Sequence, residues 1–143
     1  MAPEQVKGQR GDARTDIYSL GAILYEMLTG RLPFEGENAY TVMNARLFGD
    51  PVAPRVHNPR IRPEVEEIVL HAMARDPADR YPSAAAMKAE IDAPEDVQVT
   101  GRANRLKVPV VSRTPWRMIR MILIGLLVPV ALFFLILFML TRR

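Results

Sequence analysis

Few kinds of residue in this chain can do chemistry. Cysteine is absent, which excludes disulfides and thiolate metal sites and fits a reducing compartment. The histidines are His57 and His71, the side chains whose ordinary pKa lies nearest neutrality. One stands in a proline-rich loop and the other inside a helical pattern, so surface or partly packed roles fit them better than catalysis. Gly8, Gly11 and Gly21 do not make the clustered glycine loop that cradles phosphates. What remains is the chemistry of carboxylates and guanidiniums: ion pairs, helix caps and contacts with charged surfaces.

The charges are unevenly placed. All 16 acidic residues lie at or before Asp96, with eleven of the 19 Lys and Arg, a balance of −5. The remainder carries +8 and no acid. The sequence pI of 9.6 therefore reflects a basic tail beside an apolar run, which points to a membrane surface and not to nucleic acid. That run, Met121–Leu140, holds 20 residues without a charge, about 30 Å of helix, the thickness of a hydrocarbon core. It has no polar face, and Pro129 is tolerated in a lipid-embedded helix. Arg102, Arg105, Lys107, Arg113, Arg117 and Arg120 precede it, and only Arg142 and Arg143 follow. The positive-inside rule then places the N-terminal part in the cytoplasm and the C-terminus outside, a single-pass arrangement. Trp116, with Arg117 and Arg120, is the expected interfacial anchor, and membrane lipid the expected partner. No apolar run follows Met1, so the start does not read as a signal peptide. Ala93–Pro115, with its prolines and cations, reads as a flexible juxtamembrane linker.

Four helices must position whatever the soluble part carries. The first is expected over Thr15–Thr29, with Ile17, Leu20, Ile23, Leu24, Met27 and Leu28 at helical spacing. Thr15 or Asp16 can cap it, and Gly30 stops it. The second is expected over Ala39–Phe48, ending at Gly49. The third runs over Pro63–Ala74, with Glu64, Glu66 and Glu67 in its first turn and a buried face of Val65, Ile68, Val69, Ala72 and Met73. The fourth begins at the cap Ser83 and runs to Ile91. With no strong strand pattern, the class is all-α.

Three blocks carry a more specific message. Met1-Ala2-Pro3-Glu4 is followed by Thr15-Asp16-Ile17-Tyr18-Ser19-Leu20-Gly21. LYEMLTGRLPF spans Leu24–Phe34, and ARDPADRYPSAAAM spans Ala74–Met87. In this order, over about residues 1–91, they resemble the bacterial serine/threonine protein kinase family, from the Ala-Pro-Glu motif that ends the activation segment onward. The resemblance implies a partial C-terminal helical lobe over 1–92, a basic linker over 93–115, a transmembrane helix over 116–141 and a short external tail at 142–143. It further implies that Glu4 pairs with Arg80, clamping the activation segment to the lobe, and that Asp16 matches the helix-start aspartate that holds the catalytic loop. Pro3 and Gly21 fall at motif positions.

The family's phosphoryl transfer uses a glycine-rich loop, a phosphate-binding Lys, a catalytic Asp and Asn and Asp ligands for magnesium. None of these motifs occurs in this sequence. No cofactor is expected on this chain, although the complete family member uses ATP and magnesium. The leading expectation is a C-terminal fragment of a membrane-anchored serine/threonine kinase, from a truncated gene or an internal start, inactive by itself. A non-catalytic tail-anchored interaction module and one half of a split kinase are the alternatives, with protein substrates or an N-terminal kinase part as partners. Without the elements that surround its first helix in the family, Leu20, Ile23, Leu24 and Met27 are expected to form an exposed apolar patch.

Overall fold

The computed structural model describes residues 1–107. The expected span Met121–Leu140, its anchors Trp116, Arg117 and Arg120, and the tail lie outside the described residues. Among the described residues, no helix is long and apolar enough to cross a membrane, and there is no strand. The elements in chain order are α1 (Pro3–Val6), α2 (Ala13–Thr29), α3 (Ala39–Phe48), α4 (Pro54–His57), α5 (Pro63–Ala72), a 3-10 turn (Pro77–Asp79), α6 (Ala84–Asp92), a second 3-10 turn (Pro94–Asp96) and α7 (Arg102–Arg105).

The local signals act where the sequence places them, with one exception. Asn38 caps α3, its side chain accepting from Thr41 N–H, and Ser83 caps α6 by accepting from Ala86 N–H. Gly30 ends α2 at φ 67°, a left-handed conformation that glycine enters without steric cost. The exception is the start of α2. The cap is Asp12, which accepts from Arg14 N–H, and neither Thr15 nor Asp16 serves. Thr15 is already inside the helix, and its hydroxyl turns to Glu4.

α2 and α5 pack together at the centre. Gly21 sets their approach, since a Cβ built there would lie 2.8 Å from Ala72 Cβ and 3.0 Å from Met73 Cγ. One apolar cluster joins Ala2, Tyr18, Tyr25, Phe34, Val69 and Met73. The other joins Ile17, Ile68, Ala72, Tyr81 and Met87. Leu24 packs against both clusters, so it leaves the expected patch. Leu20, Ile23 and Met27 remain 46%, 55% and 78% exposed.

The third helix departs from expectation at both ends of its character. It stops at Ala72, two residues early; beyond it Ala74 N–H turns to the His71 carbonyl, and the carbonyls of Ala74 and Arg75 accept from the Arg80 side chain. Its burial also extends around the helix. Glu66, Glu67 and Leu70 are buried, whereas Val65 is only half-buried. The buried carboxylates are satisfied, since Glu66 accepts from Arg55 N–H at 2.8 Å and Glu67 from the Thr100 hydroxyl and from Arg102 N–H.

Those Glu67 contacts correct the reading of the linker. Residues 94–107 are not a free tether: α7 packs on α5, Arg102 pairs with Glu67 at 3.2 Å, and Lys107 N–H donates to Asp50 at 2.9 Å. The packed region therefore continues past Asp92. Proline and charge content resembled a linker, but a buried acid on α5 offers the cationic segment a partner.

Candidate functional site

The most constrained polar site is built around Arg80. The residue follows the 3-10 turn Pro77–Asp79, which Asp76 caps by accepting from Ala78 N–H. From there the side chain runs inward between α1, α2 and the end of α5. Its Nη1 and Nη2 donate to Glu4 Oε1 and Oε2 at 2.9 and 2.8 Å, a two-pronged pair. Nη1 also donates to Arg14 O at 3.0 Å, Nη2 to Arg75 O at 3.2 Å, and Nε to Ala74 O at 2.8 Å. All five guanidinium N–H groups thus have an acceptor. The face of the guanidinium lies 4.8 Å from the centre of the Tyr18 ring, within cation–π range. The side chains of Arg80 and Glu4 are 0% and 8% exposed.

Glu4 is held from a second side, where the Thr15 hydroxyl donates to Oε1 at 2.7 Å. The Arg80 hydrogen bonds are the largest influence on this carboxyl. They outweigh its desolvation and, with the Thr15 bond, hold its pKa at about 2. Pro3 is buried at the first position of α1, where its missing N–H costs nothing and its ring pre-sets φ. The segment before α2 is thereby fixed to the turn before α6, 76 residues apart.

The structure brings Pro3, Glu4 and Arg80 together and puts Gly21 at the helix crossing behind them. Asp16 is elsewhere, exposed in the first turn of α2. About three turns of helix place it in one line with Leu20, Ile23 and Met27. His71 is half-buried with its ring 3.9 Å from that of Tyr81, and burial lowers its pKa. His57 meets Tyr25 edge-on at 6.3 Å. The motif blocks include Thr15 and Tyr18 but gave them no role beside Glu4 and Arg80, and the carbonyls of Arg14, Ala74 and Arg75 were not anticipated. Thr15 carried a signal, a hydroxyl on the core side of a helix that needs a partner. The carbonyls carried none.

These residues do not fit a nucleotide or its metal. Among the described residues, no three His, Cys, Asp or Glu side chains converge on a point where an ion could bind. Gly8 sits in an open turn at φ 72°, and Gly11 packs against Thr15. The Glu4–Arg80 site has spent its donors and acceptors on itself. No step of phosphoryl transfer is assigned to it; what it can do is hold one stretch of chain against another.

Comparison with known proteins places this geometry. Residues 1–91 match the family described as protein kinase domain. A probable serine/threonine-protein kinase of Streptomyces coelicolor is 46% identical over 101 residues, covering 71% of this chain and 15% of the relative. The serine/threonine-protein kinase PknB of Mycolicibacterium smegmatis is 38% identical over 122 residues, covering 79% and 20%. The chain thus spans about 15 to 20% of the length of these relatives. Among solved structures, the twitchin kinase region from C. elegans aligns with a TM-score of 0.57 at 20% identity, covering 74% of this chain and 18% of that one. The Rad53 kinase domain aligns with a TM-score of 0.52 at 26% identity, covering 61% and 35%. The matched residues form most of the sequence and include the clamp, so the chain belongs to the bacterial serine/threonine protein kinase family.

Proposed function

We propose that this chain is the C-terminal part of a membrane-anchored serine/threonine kinase, in which it clamps the end of the activation segment and supports catalysis carried out by residues outside it. The observation that carries this reading is the Glu4–Arg80 pair, buried and doubly hydrogen-bonded across 76 residues. A local fold has little need of so constrained a contact, whereas an enzyme that must hold a substrate-binding loop in one position does. The line of Asp16, Leu20, Ile23 and Met27 supports it. Three exposed apolar side chains in register with a carboxylate suit the inner face of a larger lobe. Membrane anchoring rests on the uncharged run Met121–Leu140 and the cations that precede it.

The test is to tag the protein after Arg143 in its own cell, purify it from membranes, weigh it and assay transfer of phosphate from ATP to Ser or Thr. A mass well above 16.1 kDa, membrane association that survives a carbonate wash, and transfer lost in Glu4→Ala support the proposal. A mass near 16.1 kDa without transfer would replace it with the interaction module, for which the same exposed line is the binding face.

A further inference from the structure

A second polar site lies on the other side of Tyr18, and the clamp does not use it. α2, the C-terminal end of α3, the residues after α5 and α7 surround an open pocket of about 490 Å³. Tyr18, Arg46, Arg75, Arg102, Arg105 and Asp79 are among the side chains that line it. Tyr18 is 2% exposed, yet its hydroxyl has no hydrogen-bond partner among the described residues, nor has the buried Arg46 Nε. Buried polar atoms are normally paired, and an unpaired one points to a ligand or solvent at that spot.

The charges define what such a ligand would be. Arg75 is taken up by Asp50 at 2.7 Å, and Arg102 faces Glu67 at 3.2 Å. Arg46 donates to Met1 O at 2.6 Å and Arg105 to the Thr100 hydroxyl at 3.1 Å. Both of these acceptors are neutral, so among the described residues two guanidinium charges are left without a carboxylate. Against them stands the carboxylate of Asp79. Burial pushes the Tyr18 phenol up to about 12, so it stays protonated and able to donate.

We infer that this pocket binds a phosphate monoester, held by Arg46, Arg105 and the Tyr18 hydroxyl. The Tyr18 hydroxyl and two guanidiniums from three separate elements suit a multiply charged oxyanion: a phosphate monoester carries a charge of about −1.5 to −2 near neutrality, against the single charge of a carboxylate. The guanidinium fork matches phosphate geometry. The volume accommodates the group with a substituent, so the phosphate can belong to a soluble ester or to a lipid headgroup. Asp79 limits affinity. The inference does not depend on the kinase reading, since it uses only the pocket.

The experiment is equilibrium dialysis of radiolabelled inorganic phosphate against the 143-residue chain in phosphatidylcholine nanodiscs, with chloride holding ionic strength constant. One saturable equivalent per chain is expected. Tyr18→Phe keeps the ring over Arg80 and should weaken binding about tenfold, the worth of one hydrogen bond to a charged group. Arg105→Met, at an exposed residue, should do at least as much, and Asp79→Asn should tighten binding. Phosphatidate in the nanodisc distinguishes the sources: displacement of phosphate assigns the site to a lipid headgroup, and no displacement assigns it to a soluble ester. Absence of saturable binding, or equal binding by wild type and Tyr18→Phe, overturns the inference.

Discussion

Replacing Arg80 by alanine would leave the Glu4 carboxylate, 8% exposed, with the Thr15 hydroxyl as its one remaining side-chain donor among the described residues. It would also strip the carbonyls of Arg14, Ala74 and Arg75 of the N–H groups that now reach them. Breaking a buried pair from one side costs about 3–5 kcal/mol, and the part-buried carbonyls left without a donor make the upper half of that range the expectation. Glu4→Ala should cost less, because the guanidinium keeps three carbonyls and the Tyr18 face. A domain is stable by only about 5–15 kcal/mol, so Arg80→Ala should remove a large share of that stability. The double variant should cost little more than Arg80→Ala alone, since the stranded charge is gone. Urea unfolding of the detergent-solubilised chain, followed by circular dichroism, measures all three. The same pair sets an acid limit. The folded Glu4 pKa lies at about 2, below its ordinary value of 4.5. The stabilisation is therefore complete above pH 4.5 and is lost as pH falls through about 2, a swing of about 3 kcal/mol. Glu4→Gln should flatten that part of the pH profile. Additive single-variant costs, or an unchanged profile in Glu4→Gln, would refute the coupling.

Other consequences follow from the same contacts. Gly21→Ala should lose about 1–3 kcal/mol in a thermal melt, because its methyl group would press on Ala72 at the α2–α5 crossing, although alanine is the better helix former. Ile23→Lys should cost under about 0.5 kcal/mol in this chain, where the residue is exposed. In a longer kinase that covers the line it should lower activity and stability together, which parallel assays of the two proteins would reveal. Glu67→Ala should free the segment around α7 by removing the acceptor of Thr100 and Arg102. Amide exchange at residues 100–106 should then rise while that of α2 stays unchanged.

The division between what was legible and what was not follows the range of the forces. Caps, stops and helical spacing act within a turn or two. That is why α3 occupies Ala39–Phe48, Gly30 ends α2 and Ser83 starts α6 as read from the chain. Motif order extended this to Glu4 and Arg80, two residues that no local rule connects. Misplacement began where a distant neighbour competes with a local signal. Thr15 gave its hydroxyl to Glu4, and Asp12 became the cap. Leu24 found apolar surface on both clusters while Leu20, Ile23 and Met27, on the same helix, did not. A stretch composed like a tether docked on Glu67, an acid whose burial depends on how α5 is surrounded. The sequence by itself determined the four longer helices and, through the family resemblance, which two charges belong together; the short helices α1, α4 and α7 were not legible in it. Only the tertiary structure decided how every donor of Arg80 is satisfied and which polar atoms beside Tyr18 are not, because hydrogen bonding is settled by atoms that the chain brings close from far apart.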